Sequence, residues 1–167
     1  TGVQTCALPI SGVQALPMDG FHLDNDRLRE LDLLHRKGAP ETFDATGFLS
    51  AVDALSRGRL KTWPGFDRDA DAVAADAISL TLTAKTFVIE GNYLLLKQPI
   101  WQDLRRYWDR AVWLDVEEAV LRRRLVQRWL DQGLSEEAAK TRAEANDLVN
   151  ARLIIDQSDR ESAITYT

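Results

Sequence analysis

The stretch PMDGFHLDND, residues 17–26, places a carboxylate, a glycine and a histidine directly after a short apolar run. A carboxylate at the end of a buried strand can accept the proton of a hydroxyl group, and a glycine beside it lets the backbone approach a ligand. Asp19 is therefore a candidate general base, and His22 a candidate hydrogen-bond partner for a substrate. Phosphoryl transfer to an alcohol is one reaction that needs such a base.

Two further carboxylates follow short apolar runs. Glu90 comes after FVI at 87–89, and Asp115 comes after AVWL at 111–114. Glu90 suits a carboxylate that associates with a metal ion or orients water, and Gly91 relieves crowding beside it. A carboxylate in this position can equally well cap the helix that comes next, so the structural interpretation stays open for each of them.

Four arginines crowd one predicted helix of an otherwise acidic chain. They are Arg122, Arg123, Arg124 and Arg128. Arg124 and Arg128 are four residues apart and share a helix face, so both could reach over a phosphate as a lid. The alternative is a solvated helix face, because Leu121, Leu125 and Trp129 already supply an apolar stripe on this helix.

The elements that must position these groups alternate between strand and helix, which predicts an α/β fold. Short apolar runs that end on a carboxylate are typical of buried parallel strands, and ligands bind at the carboxyl ends of such strands. Asp24, Asp44 and Ser135 are predicted helix caps. We expect strands at 13–18, 60–63 before a Pro64-Gly65 turn, 78–82, 86–89, 111–114 and 163–166. We expect helices from 25 to before Gly38, from 45, at 117–131 and at 135–153.

Composition excludes several classes of protein. The 167 residues suit one domain, and 45% hydrophobic with 28% charged residues is ordinary for a globular protein. The net charge of -5 argues against general affinity for nucleic acid or anionic membrane. No apolar run approaches the ~20 residues that span a bilayer, and the start lacks the positive region of a secretory signal. The sequence therefore predicts a cytoplasmic protein.

The acidic segment DRDADAVAADAI, residues 67–78, imitates a calcium-binding loop. Its sixth position is Ala72 where such a loop has glycine, and its twelfth is Ile78 where the loop has glutamate. We therefore predict no EF-hand here.

The first ten residues, TGVQTCALPI, are expected to be foreign to the protein. They back-translate without a mismatch to a nucleotide string that resembles a widely used short-read sequencing adapter. The only cysteine, Cys6, lies in this segment, so thiol catalysis, disulfides and zinc–thiolate sites are not expected of the native chain. The predicted domain is residues 11–167.

Four segments in order resemble the bacterial uridine kinase-like branch of the P-loop kinases, which is related to uridine kinase, pantothenate kinase and phosphoribulokinase. They are LPMDGFHLDN, RKGAPETFDATGF, WPGFDRDAD and VIEGNYLLL. The resemblance runs from about Val13 to Ile155. It implies a doubly wound parallel sheet of the P-loop NTPase type and transfer of phosphate from ATP, with Mg²⁺, to a small hydroxyl substrate such as a nucleoside, a pantothenate-like molecule or a sugar.

The resemblance also implies roles for particular residues. Asp19 and Glu90 match the family's catalytic carboxylates, with Glu90 indirectly on the metal, and Arg124 and Arg128 fall in the lid. Asn146, Asp147 and Asn150 match an NDxxNA segment to which we assign no role from the sequence. The residues matched to the substrate side are Phe21, His22, Lys37, Pro40, Phe43, Asp44, Phe66, Asp67, Arg68 and Asn92.

One part of the family pattern does not occur in these 167 residues. The phosphate-binding loop of this family reads GxxxxGK followed by Ser or Thr, and no such motif is present. The resemblance thus predicts that the first strand and its loop belong ~30–50 residues upstream. On that interpretation the chain is a truncated kinase domain that is itself inactive and poorly folded.

Two other functions stay open. A P-loop-less binding or regulatory domain on a kinase scaffold requires residues 1–10 to be genuine. A phosphohydrolase using Asp19 and Asp24 is disfavoured because the DxD spacing of its nucleophile is absent.

Overall fold

A computed structural model describes residues 12–81, 84 and 86–167. The segment predicted to be foreign, residues 1–10 with Cys6, lies outside the described residues, as does Leu82 of the predicted strand 78–82. The strands in the described part are β1 Val13–Pro17, β2 Thr62–Asp67, β3 Ala72–Ser79, β4 Thr86–Glu90, β5 Val112–Leu114 and β6 Ile164–Tyr166. The helices there are α1 Asn25–Glu30, α2 Ala45–Ser56, α3 Glu118–Asp131, α4 Glu136–Arg142 and α5 Leu148–Gln157.

Parallel strand pairing positions the predicted site. β1 and β4 run parallel, and Pro17 lies opposite Glu90 in the register. β5 and β6 form a second parallel pair, while β2 and β3 form an antiparallel hairpin. The prediction of an α/β fold with parallel strands is confirmed, and within the described residues the strands are joined in these three pairs.

The hairpin corrects two predicted elements. β2 runs through Pro64 and Gly65, which were predicted to form a turn. Strand pairing shifts register between Trp63 and Gly65, and this bulge accommodates proline, which has no N–H to donate to the ladder. β3 begins at Ala72, six residues before the strand expected from ISLTL, and ends at Ser79. The reversal between the strands contains Asp71 with φ 49°.

The helix after β1 is shorter than predicted. Asp24 caps α1 as expected, because its side chain accepts a hydrogen bond from the Arg27 N–H at 2.7 Å. The helix ends at Glu30, and Asp32 adopts φ 55°, a left-handed conformation that a helix cannot contain. Leu31 is 41% exposed, so the apolar spacing that suggested a longer helix does not correspond to a buried face.

An aromatic cluster forms the core between β1, β2, α2 and the segment after β4. Its fully buried members include Leu16, Phe48, Trp63 and Tyr93. The rings of Phe48 and Trp63 meet edge to face, with centroids 5.9 Å apart. The Trp63 indole N–H donates to the Pro17 carbonyl at 2.8 Å, which ties the hairpin to the carboxyl end of β1.

Helix α3 contributes no residue to this cluster, whereas Leu153 and Ile154 of α5 pack against it. α3 has no buried residue. Ser135 caps α4 as predicted, and one turn of π-helix, Ala143–Asp147, joins α4 to α5, so the predicted helix from 135 continues past 153 to Gln157 with an extra residue in one turn. Across the described ranges, no helix has the length and apolar character needed to cross a membrane.

Candidate active site

Asp19 and Glu90 meet at the carboxyl end of the β1–β4 pair. Asp19 lies in a 3₁₀ turn, Met18–Phe21, that comes directly after β1, and Glu90 is the last residue of β4. The pKa of Glu90 is raised, first by burial and then by the negative charge of Asp19. Two carboxylates that repel each other at a strand end form a site that favours a cation or a proton.

The β2–β3 hairpin reaches across this strand end. Arg68 lies in the turn of this hairpin, and its guanidinium donates to Asp19 Oδ2 at 2.9 Å. The Asp19 side chain is 35% exposed. The Asp19 carboxylate is therefore paired with a cation through one oxygen and remains accessible to solvent.

Gly20 has a different role from the predicted one. A Cβ atom at this position would lie 2.2 Å from the Pro64 carbonyl oxygen, so the glycine admits the chain's own strand β2 and not a ligand. Gly91 relieves crowding as predicted, because a Cβ there would lie 2.5 Å from the Met18 Cβ.

His22 lies between two aromatic rings. Its centroid is 4.0 Å from that of Phe43 and 4.9 Å from that of Phe66. Nδ1 is 2.8 Å from the Asp19 carbonyl oxygen, which only accepts, so Nδ1 carries the proton and Nε2 is left as an acceptor. Burial lowers the pKa of His22 and outweighs the opposing effect of the Asp19 backbone contact. The neutral imidazole thus presents a lone pair.

Lys37 forms the far wall of the same site. Its ammonium lies 5.0 Å from the centroid of the Phe66 ring and donates to Asp71 Oδ1 and to Asn25 Oδ1, each at 2.7 Å. The hydrogen bond from Lys37 is the main cause of a lowered pKa at Asp71. No pattern in the sequence indicates this contact, since Asp71 belongs to the acidic segment and its position depends on a hairpin turn that was not predicted.

Four other predicted substrate residues are placed as follows. Phe21 packs edge-on against Phe48 and Trp63, with centroids 5.0 and 5.1 Å away, so its ring belongs to the core. Asp44 caps α2 by accepting from the Gly47 N–H at 2.8 Å. Asp67 accepts from two N–H groups of the hairpin turn, each at 3.0 Å. Asn92 is exposed, two residues beyond Glu90.

The predicted substrate residues therefore divide into two groups. The structure brings together six predicted residues and adds Asp71 to them. The six are Asp19, Glu90, His22, Lys37, Phe66 and Arg68. Asp44 instead lines a separate groove of about 370 Å³ with Glu41, Ile100 and Trp101.

The two lid candidates differ in their contacts. Arg128 donates to Asp147 Oδ2 at 2.9 Å and stacks over the Trp129 ring at 4.8 Å. Arg124 is exposed, and its guanidinium has no ion-pair partner in the part of the chain that the structure describes. The Arg128 side chain joins α3 to Asp147, whereas the Arg124 side chain is accessible to a ligand.

No group of three or more metal-ligating side chains occurs within residues 12–81, 84 and 86–167. The acidic segment that imitates a calcium loop forms the hairpin turn and β3, as the exclusion of an EF-hand requires.

Among known proteins, this chain is similar to several that are described as kinases. A solved structure of a candidate fructose transport system kinase from Silicibacter sp. TM1040 is 45% identical with a TM-score of 0.86, covering 93% of this chain and 75% of that one. A candidate uridine kinase from Schizosaccharomyces pombe is 35% identical over 150 residues, covering 85% of this chain and 64% of its own length. The fold alone is shared with YFH7 from Saccharomyces cerevisiae, described as a candidate P-loop containing kinase, at 22% identity and a TM-score of 0.82, covering 93% of this chain and 58% of that one.

The chain matches only part of each curated relative. It spans 64% of the length of two of them and about half, 48%, of a curated ATP-dependent kinase. No family model matches the chain. The solved structures and the strand pairing of the chain agree on an α/β fold of the P-loop NTPase type.

Proposed function

Because this chain belongs to the P-loop kinases, we propose that its protein is a cytoplasmic enzyme that transfers the γ-phosphoryl group of ATP to a hydroxyl of a small molecule. The observation that carries the proposal is the meeting of Asp19 and Glu90 at the carboxyl end of β1 and β4, under the Arg68 hairpin. The substrate classes that the resemblance offers are nucleosides, pantothenate-like molecules and sugars.

Asp19 acts as the general base in this proposal. One oxygen is held by Arg68, and Oδ1 has no protein hydrogen bond within the described residues, so it can receive an acceptor hydroxyl. Asp19 takes the hydroxyl proton while the hydroxyl oxygen forms its bond to the γ-phosphorus. The bond from that phosphorus to the bridging oxygen breaks, and ADP leaves with the electron pair.

The neighbours of Asp19 orient the acceptor. The Nε2 lone pair of His22 accepts a hydrogen bond from a second hydroxyl, and the Phe66 ring supplies a flat apolar surface for the rest of the molecule. Lys37 and Arg68 give this pocket two donors of positive charge.

The paired carboxylates fit a Mg²⁺ ion. Oxygen ligands are those that Mg²⁺ prefers, and the pKa of Glu90 is raised first by burial and then by the negative charge of Asp19, which a cation would offset. Glu90 would face the ion, which would neutralise charge on the phosphates when bound, while the oxygens of Asp19 are used by Arg68 and the acceptor hydroxyl. No residue of the 167 is assigned to the α- and β-phosphates of ATP, since the sequence contains no GxxxxGK motif.

We further propose that Arg124 contacts the transferring phosphate, as the exposed one of the two lid candidates. Arg128 supports it by anchoring α3 to Asp147.

A second candidate function rests on the missing motif. Without a loop to neutralise the triphosphate, residues 1–167 alone would form a binding domain that keeps the acceptor pocket and does not turn over ATP. For the isolated chain we expect this behaviour, with weak ATP binding at most.

Two measurements test these proposals. A polypeptide joining these residues to a GxxxxGK loop is assayed for ATP consumption with nucleosides, sugars and pantothenate, and we expect turnover with one class only. Calorimetry on residues 1–167 should detect no tight ATP binding, and a dissociation constant in the low micromolar range would contradict that expectation. Absence of turnover with every acceptor, despite ATP binding by the joined polypeptide, would favour the binding domain.

A further inference from the structure

Two asparagines near the end of the chain are buried. Asn146 is 3% exposed and Asn150 is 6% exposed. They belong to the segment to which the sequence assigned no role. A buried amide is retained only when its donors and acceptor find partners, so the contacts of these side chains show what they hold.

The oxygen and the nitrogen of the Asn146 side-chain amide both form hydrogen bonds with the segment after α1. Its Oδ1 accepts from Arg36 Nη1 at 2.9 Å, and its Nδ2 donates to the Lys37 carbonyl oxygen at 3.1 Å. Because a guanidinium only donates and a backbone carbonyl only accepts, the amide can take only this orientation. Asn150 supports it, with Nδ2 3.4 Å from the same Oδ1 and Oδ1 accepting from Arg36 Nη2 at 3.3 Å.

The peptide that Asn146 contacts is held from two other sides. The hydroxyl of fully buried Tyr93 donates to the Gly38 carbonyl at 2.5 Å, and the Gly38 N–H donates to Thr42 Oγ1 at 3.0 Å. Gly38 adopts φ 99°, which a residue with a side chain rarely tolerates. The backbone between Lys37 and Gly38 is therefore fixed at both carbonyls and at one N–H.

Fixing this backbone aims the Lys37 side chain. That side chain is only 15% exposed and extends over Phe66 to Asp71 and Asn25, beside His22. Four rotatable bonds separate the Lys37 ammonium from its Cα, so the side chain is flexible. Contacts in the pocket can hold the ammonium in one place only if the Lys37 backbone is itself fixed.

Asp147, the residue after Asn146, contacts helix α3. Asp147 accepts from Arg128 Nη2 at 2.9 Å and from the Trp129 indole N–H at 2.6 Å. Asn146 and Asp147 both lie in the π-helical turn Ala143–Asp147, whose extra residue interrupts the regular helix face between α4 and α5. Single π-helical turns of this kind are frequent at functional sites.

We propose that Asn146, supported by Asn150 and Arg36, is a positioning residue that fixes the Lys37 ammonium in the acceptor pocket and ties that pocket to the arginine-bearing helix α3 through Asp147. The role of Lys37 in binding the acceptor rests on the proposed function. The positioning itself is a property of the folded chain and is testable without turnover.

His22 provides the measurement. The chain has two histidines, His22 and His35, so the imidazole proton resonances of each can be followed through a pH titration by NMR. The charged groups that act on His22 are Asp19, Lys37 and Asp71, and the Lys37 ammonium lowers its pKa. Lys37→Met should therefore raise the His22 titration midpoint. Asn146→Leu, which keeps the number and branching of the side-chain heavy atoms and adds no charge, should shift it in the same direction by a smaller amount.

A matched control separates positioning from general loosening. Val149 lies on the same segment, is 43% exposed and makes no polar side-chain contact, so Val149→Ala should leave the His22 midpoint unchanged. An unchanged midpoint in folded Asn146→Leu, while Lys37→Met moves it, overturns the proposal. An unchanged midpoint in Lys37→Met overturns it too, because the ammonium would not lie beside His22.

A milder variant keeps the test decisive if Asn146→Leu does not fold. Asn150→Ala removes the support of Asn146 and leaves its own amide intact, so we expect a smaller upward shift of the His22 midpoint. A folded Asn150→Ala protein with no shift contradicts the proposal.

Activity gives the second readout. In the polypeptide joined to a phosphate-binding loop, Asn146→Leu should raise KM for the acceptor by about tenfold to a hundredfold and leave KM for ATP within about twofold, since misplacing a binding group by ~1 Å has effects of this size. Equal changes in both constants would indicate a general structural role and contradict the proposal. A shifted His22 midpoint in a protein that turns over no acceptor would refute the proposed function alone.

Discussion

The two halves of the molecule hold their functional groups by different physical means. Between residues 12 and 110, the groups around Asp19 stand on an aromatic core whose members are almost fully buried. Between residues 111 and 167, helix α3 buries no residue and the strand residues Leu114 and Tyr166 are 71% and 60% exposed. The groups around Asp19 are thus positioned by packing, whereas helix α3, which carries the arginines, is positioned by polar contacts.

Ion pairs join helix α3 to the π-helical turn and to α5. Glu118 pairs with Arg152 at 2.6 Å, Arg122 pairs with Glu144, and Arg128 pairs with Asp147. The first two pairs are exposed, so each contributes little and is screened by salt, whereas the Arg128–Asp147 pair is more deeply buried. A helix held in this way can shift relative to a rigid pocket, as the proposed contact of Arg124 with the transferring phosphate requires.

Two tryptophan substitutions should separate the halves by the largest margin. Trp63→Ala should lower the free energy of unfolding by about 3–5 kcal/mol, because the fully buried indole leaves a cavity and the Pro17 carbonyl loses its donor. Trp113→Ala on β5 should cost about 1 kcal/mol or less, since that side chain is only partly buried. Urea unfolding of both variants measures the difference, and equal losses would show that the two halves are packed alike.

The two candidate lid arginines extend this contrast to helix α3. Arg128→Met should lower the free energy of unfolding by about 1–3 kcal/mol, since Asp147 loses the cation that compensates it. Arg124→Met should change it by less than about 0.5 kcal/mol but reduce phosphoryl transfer, because an exposed arginine makes its contact only with the phosphate. Denaturation and steady-state assays of both variants check this, and the reverse pattern would exchange the two roles.

A smaller effect is expected from the carboxylate pair. The pKa of Glu90 is raised above its ordinary value of 4.5, so the folded state binds a proton more tightly than the unfolded chain does. Glu90 therefore contributes stability at low pH that is lost as the pH rises through its folded pKa. Glu90→Gln, which mimics the neutral acid, should match the native protein in stability near pH 4 and exceed it at pH 7.

Paired unfolding curves at pH 4 and pH 7 test that expectation. Asp103→Asn, a neutralising change at a carboxylate remote from Asp19, serves as the control and should not reproduce the pH dependence. A Glu90→Gln protein that is less stable at pH 7 than the native one would mean that the ionised carboxylate is compensated in the fold.

The sequence predicted the parts of the site that depend on strand ends. Asp19 and Glu90 could be placed together because short apolar runs ending in carboxylates predict parallel strands, and parallel strands bring those ends to one edge. Caps at Asp24, Asp44 and Ser135 were predictable because a cap is a local hydrogen bond.

The rest of the site depends on contacts between residues distant in the sequence. Arg68 reaches Asp19 across 49 positions, and Asn146 reaches Lys37 across 109. The Pro64-Gly65 pair was predicted to be a turn because the sequence does not show that a bulge keeps it within β2. The apolar spacing predicted that α1 continues past Asp32, whose left-handed conformation a helix cannot contain. Gly20 was assigned to a ligand because a sequence does not show which strand will approach it.

The role of Asp19 as the base of a phosphoryl transfer can be tested with a pair of substitutions in a polypeptide that includes a phosphate-binding loop. Asp19→Asn should lower turnover by about a hundredfold or more while ATP binds as before, since only the proton acceptor is lost. Asp24→Asn, which keeps a good helix cap five residues away, should retain turnover within about twofold. Turnover by Asp19→Asn comparable to that of Asp24→Asn would show that Asp19 is not the base.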